Sequence, residues 1–158
     1  MIDLIIPPDT VRVSKSKVST QIFSQIYFQI DNNIFFPEEN WDDFTAAILN
    51  FWIEEACRVG RHYMANCRFM DGPFYFDIYY VNQICNIRFI DDTYGKREII
   101  FSGEIDYCYL LNLLKKNANL VIRNLPKEAF KLNDVIELQK NLELIQKMIK
   151  KLKKSNSK

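Results

Sequence analysis

Glycine, proline and histidine are scarce: 158 residues include four Gly, five Pro and one His, His62. With so few glycines there is no phosphate-cradling loop. Neither GxGxxG nor GxxxxGK[ST] occurs, and the nucleophile-elbow pattern GxSxG is absent too. Little Gly and Pro also leaves little room for disorder. The four cysteines, Cys57, Cys67, Cys85 and Cys108, form no CxxC pair, which with a single His argues against the usual zinc ligand sets. Thiols spaced this way fit small core residues in a reducing compartment. No apolar run approaches the roughly 18 residues of a membrane-spanning helix. The opening "MIDLIIPPDT" lacks the basic start and unbroken apolar stretch of a signal peptide, so the expected location is the cytoplasm.

What is present is a chain long enough for one domain with a full core. Hydrophobic residues make up 48% and charged residues 26%, as in a globular protein, and aromatics are abundant at 14%. The net charge of +1 is unevenly spread. Residues 131–158 carry eight Lys against Asp134, Glu137 and Glu143, so the remainder is mildly acidic.

Residues 1–19 read as an extended arm interrupted by Pro7 and Pro8. Over 20–31, Ile22, Ser24, Ile26, Phe28 and Ile30 alternate with Gln21, Phe23, Gln25, Tyr27 and Gln29, the period of a strand. "DNN" at 31–33 reads as a turn, with a short return strand at 34–36. A helix is expected next, with Asn40 as N-cap and Asp42 and Asp43 at its positive end. Its apolar stripe would be Trp41, Phe44, Ile48, Phe51, Trp52 and Val59, and Gly60 its stop.

Strands follow at 63–70, 74–81 and 84–90, joined by "DG" at 71–72 and "NQ" at 82–83. "DDTYGK" at 91–96 is a longer loop before a short strand at 97–101. Ser102 is placed to cap a helix over 103–118 with Ile105, Cys108, Leu111 and Leu114 inward. No element is assigned to 120–130. Asn133 opens a last helix over 133–154, striped by Val135, Leu138, Leu142, Ile145, Ile149 and Leu152, with a frayed tail at 155–158. The expected architecture is a single α+β domain over 1–158: a mostly antiparallel sheet of about five strands with helices on one face.

Several groups carry potential chemistry. Glu38, Glu39, Asp42, Asp43 and Asp71 converge if the first helix begins near the 71–72 turn, and paired carboxylates serve acid–base work or metal binding. A metal-dependent or hydrolytic enzyme using Asp43, Asp71 and His62 is therefore one reading, although capping acids and a turn aspartate explain these residues more simply. A Cys57–His62 nucleophile pair would need contact and an orienting third group, which the spacing does not demand. The aromatic strand "FYFDIYYV" has rings but no Lys or Arg of its own, so no nucleic-acid partner is expected. The lysines of the last helix read as a solvated face; a homo-oligomeric scaffold or homodimer built on that helix is a further reading. Tyr75, Asp77, Tyr79, Asp91, Asp92 and Tyr94 form the candidate protein-contact set, with Tyr107 and Tyr109 also open to partial exposure.

"FPEENWDDFTAAILNFWIEEA" followed by "FMDGPFYFDI" resembles small bacterial immunity proteins found beside polymorphic or contact-dependent toxins. The residues carrying the likeness are Phe36, Pro37, Trp41, Asp43, Phe44, Trp52, Met70, Asp71, Gly72 and Pro73. It spans about 35–125, including "LLNLLKKNANLVIRN". The resemblance implies a non-enzymatic role without metal or cofactor: stoichiometric binding of a cognate toxin domain. It also implies that an acidic patch steers the inhibitor toward a basic toxin, and that the motif residues hold the fold while strands and loops elsewhere make the contact.

Overall fold

A computed structural model describes residues 1–59 and 63–156. Among these, ten strands and three α-helices form an α+β fold with three antiparallel sheets. The strands are β1 (Ile2–Ile5), β2 (Arg12–Lys15), β3 (Thr20–Gln25), β4 (Tyr27–Ile30), β5 (Ile34–Phe36), β6 (Asp42–Phe44), β7 (Ala65–Arg68), β8 (Phe74–Val81), β9 (Ile84–Asp91) and β10 (Glu98–Glu104). The helices are α1 (Thr45–Cys57), α2 (Tyr107–Arg123) and α3 (Asn133–Asn156). The sheets run β1-β4-β5, β2-β3-β6 and β10-β9-β8-β7, in place of the single sheet of about five strands that the sequence suggests.

The division arises at Ile26. The expected inner face over 20–31 is buried at Ile22, Ser24, Ile26, Phe28 and Ile30, and of the opposite face only Tyr27 is buried as well. The backbone partners change midway: β3 pairs with β2 and β6, whereas β4 pairs with β1 and β5. At the change the Ile26 N–H donates to the Trp41 carbonyl at 2.7 Å, so no buried amide is left unpaired. The segment 1–19 is likewise no free arm, because β1 pairs with β4 and β2 pairs with β3 on either side of the Pro7–Pro8 bend.

The expected start of the first helix is corrected. Asn40 does not cap it; Asn40 sits at a positive φ of 64° in a turn. Residues 42–44 form β6 on β3, and α1 begins at Thr45 without a side-chain cap. Strand pairing outcompetes a helical turn here because Asp43 faces the interior, where donors await it. In α1, Ile48, Leu49, Trp52, Ile53 and Ala56 are buried while Phe51 is 44% exposed. Gly60, the expected stop, lies outside the described residues, as do His62 and the last two residues of the frayed tail.

Both turn signals hold. The 71–72 turn joins β7 to β8, and Gly72 has φ 80°. Asn82 and Gln83 take φ 49° and 67°, the left-handed pair a two-residue hairpin demands. Pairing with β9 carries β10 through Ser102 to Glu104. Ser102 is thus a strand residue, and Asp106 caps α2 by accepting from the Tyr109 N–H at 2.8 Å. α2 then runs on to Arg123, and Lys127–Lys131 forms a 3-10 turn within the unassigned stretch.

α3 reaches Asn156 and docks within the chain. Val135, Leu138, Ile145 and Ile149 are buried, with Leu142 and Leu152 packed beside them. Between these apolar contacts, Asn141 Nδ2 donates to Asn50 Oδ1 at 2.9 Å, and Asn50 Nδ2 donates to the Asp134 carbonyl at 2.9 Å. A polar pair inside an apolar seam fixes how far one helix slides along the other. Asn141→Ala leaves the Asn50 acceptor buried and unpaired. It is expected to lower the unfolding free energy by about 1–3 kcal/mol in urea titrations; an unchanged midpoint would show that the pair is not a structural lock.

Candidate protein-binding face

The two motif stretches meet at Asp43, which is 1% exposed. Its Oδ1 accepts the Phe44 N–H at 2.7 Å; its Oδ2 accepts the Trp41 Nε1–H at 3.1 Å and the Asp71 N–H at 3.2 Å. The Trp41 and Phe74 rings meet edge to face at 5.2 Å, and Phe74 also contacts Phe36 at 5.9 Å. A Cβ on Gly72 would stand 2.7 Å from the Phe74 ring and 3.3 Å from Trp41, so only glycine fits there, at a φ that also favours it. Pro37, cis to Phe36, and Pro73 flank this corner. Trp52 anchors α1 behind it, donating from Nε1 to the Arg68 carbonyl at 2.7 Å.

These contacts give Pro37, Trp41, Asp43, Phe44, Trp52, Asp71, Gly72 and Pro73 structural work. Asp43 and Asp71 are neighbours, but it is the Asp71 amide that faces Asp43, whose carboxylate is already held by three donors. No cluster of three or more metal-ligating side chains occurs among the described residues. Burial pushes the Asp43 carboxyl above its ordinary range, and the nearby Asp71 charge pushes the same way; the Trp41, Phe44 and Asp71 donors pull it down.

The contact candidates from β8 divide differently. Phe76 and Ile78 point into the core, and Tyr75, Asp77 and Tyr79 share the opposite, outer face. Asp77 is nevertheless 2% exposed. Arg88 on β9 donates from Nε to Asp77 Oδ2 at 2.9 Å, and Asn66 on β7 donates from Nδ2 to Oδ1 at 2.8 Å. The Arg88 guanidinium also lies over Tyr79, 5.2 Å from its ring centre, and the exposed Arg68 covers Tyr75 at 4.8 Å. Tyr75 is thereby buried, contrary to the expectation of partial exposure, while Tyr79 stays half-buried. The surface is an arginine–tyrosine lattice laid over a neutralised aspartate.

The 91–96 loop borders β8 and β9. Asp91 accepts from the Thr93 amide at 2.9 Å and from its hydroxyl, and the Asp92 N–H donates to the Pro73 carbonyl. Both aspartates are half-buried parts of the turn. Tyr94 stands at its tip, 95% exposed at φ 56°. On the far side of Arg68, the exposed side chains of Phe51 and Met70 edge a shallow groove floored by Ala47, Ile48 and Phe69.

Arg68 and Arg88 did not enter the sequence-based contact set, yet they dominate this face. They also alter its charge, since two arginines oppose one buried carboxylate. Three acids elsewhere are paired: Asp42 with Arg12, Glu55 with Arg58, and Asp31 with the N-terminal ammonium. Tyr107 and Tyr109 belong to other surfaces, where their hydroxyls donate to the Ala56 and Ile2 carbonyls.

Comparison with protein-family models, curated proteins and solved structures gives no match.

Two outcomes follow for the corner. Asp43→Ala strands three partly buried donors and is expected to cost about 1–3 kcal/mol in denaturant unfolding; a loss near zero would contradict the role assigned to it. By carbon NMR, the Asp43 carboxyl is expected to titrate above free aspartate. Because the folded state then holds the proton more tightly, the stability linked to Asp43 is complete below the ordinary carboxylate range and is lost as pH rises through the elevated midpoint. A midpoint at or below that of free aspartate would reverse this sign.

Proposed function

We propose that this protein is an inhibitor of the immunity-protein kind, binding a cognate toxin domain stoichiometrically in the bacterial cytoplasm. The observation carrying this reading is the outer face of β7, β8 and β9. Arg68 is exposed on it, its rings are held by stacked guanidinium groups, and Tyr94 stands exposed in the adjoining 91–96 loop. Tyrosine and arginine are the residues most often found at energetic centres of protein interfaces. Rings already fixed by Arg68 and Arg88 lose little further freedom on binding.

The contact set in this proposal is Tyr79, Tyr94, Arg68 and Arg88, with Tyr75 and Asp77 as the support beneath. The exposed charge of the face is positive, so it complements an acidic or neutral patch on the toxin domain rather than a basic one. The Asp43–Asp71 enzyme reading loses ground because Asp43's oxygens are committed to internal donors. The scaffold reading loses its surface because the apolar stripe of α3 packs on α1 and α2. No described helix is long and apolar enough to cross a membrane.

Co-expression with the toxin domain encoded beside its gene is expected to restore growth and give a complex that survives gel filtration. Arg68→Glu and Tyr79→Ala, which leave the Asp77 ion pair intact, are each expected to weaken binding about tenfold or more, or roughly 1.4 kcal/mol. Persistent toxicity with no complex would refute the proposal, and wild-type affinity in both variants would refute the assigned face.

A further inference from the structure

Away from that face, an open cavity of about 580 Å³ lies between the C-terminal half of α3, the β8–β9 turn and the start of α2. Its volume falls in the range of small-molecule sites, roughly 300–1,000 Å³. The wall is aromatic and apolar, formed by Val59, Tyr80, Tyr107, Met148 and Leu152. Tyr80 and Tyr107 meet at 6.0 Å and 70°, edge to face. The Tyr107 hydroxyl donates to the Ala56 carbonyl at 2.6 Å, which holds its ring in place. Burial pushes that hydroxyl well above its ordinary range, so it stays protonated and neutral.

The mouth is polar. Asn82, Gln83 and Ser155 line it, and Lys151 is the single charged residue among the lining side chains. None of the ion pairs found among the described residues involves Lys151. Beyond Glu143, the sequence of α3 continues with lysines and no acid. Burial raises the Tyr80 hydroxyl, and Cys85 and Asp106, whose carboxylate caps α2, push it the same way. A ligand entering here therefore meets aromatic edges and a thioether inside and the positive charge of Lys151 at the rim.

We infer that this cavity binds a small arene carrying a carboxylate. Its ring would lie against Tyr80, Tyr107 and Met148, and its anionic group would face Lys151. Aromatic pairing and sulfur–aromatic contact hold the body, and the charge selects the anion over its neutral counterpart. This site is separate from the arginine–tyrosine face and does not depend on the inhibitor reading.

The probe is naphthoate, with naphthamide as its neutral isostere, titrated calorimetrically into the full chain and followed by NMR. Saturable one-to-one binding is expected, with shifts at Tyr80, Tyr107 and Met148 and weaker binding of the amide. Lys151→Glu is expected to weaken naphthoate about five- to tenfold, since two charge contributions change at an exposed site. Leu152→Trp, which fills the cavity, is expected to abolish binding in a chain that still unfolds cooperatively. No saturable binding, equal affinity for acid and amide, or indifference to both variants would overturn the inference. So would a concentration-dependent dimer with these residues at its interface, which would assign the cavity to a second copy.

Discussion

The buried carboxylate of Asp43 holds the corner on which the rest of the fold depends. It joins β6 to the turn between β7 and β8 by accepting from Phe44, Trp41 and Asp71. A single group thereby links the small sheet carrying β3 to the four-stranded sheet. An isolated buried carboxylate is costly, and three converging donors make it tolerable. Trp41 is in turn fixed by packing against Phe74, which leaves room only for a glycine at 72.

Behind this corner the interior is aromatic. Trp52 contacts Phe69 and Phe76 at 4.9 and 5.0 Å, and Phe28 lies 5.0 Å from Phe76 and 4.9 Å from Phe89. The inner face of the four-stranded sheet is thus filled by rings from β4, α1 and the segment after β7. Its outer face is built differently. There the strands balance their own polar groups, with Asp77 shared by Asn66 and Arg88 and the tyrosines shielded by guanidinium groups. One strand, β8, therefore packs the core on one side and carries the arginine–tyrosine surface on the other.

Much of this was legible in local patterns. The alternation over 20–31 identifies the buried face correctly, and the turns at 71–72 and 82–83 are visible because left-handed backbone has few suitable residues. The division of one strand between two sheets was not legible, since it depends on the distant Trp41 carbonyl meeting the Ile26 amide. The helix start at 40–43 misled for the same reason: Asn and Asp favour caps locally, but β3 offered a ladder and the interior offered donors. The charge of the outer face was readable in principle. The 82–83 turn sets Asp77 opposite Arg88, and the preceding turn sets Tyr75 opposite Arg68. Reading β8 alone hides both arginines.

The proposed division of labour between a structural corner and the outer sheet face is open to one direct measurement, cross-saturation NMR on the isotope-labelled protein bound to the proposed toxin partner. The account predicts attenuation at Arg68, Tyr79, Arg88 and Tyr94, with residues 38–43 unaffected. Attenuation concentrated at 38–43 and 70–73, with the outer face of β7–β9 silent, would contradict it.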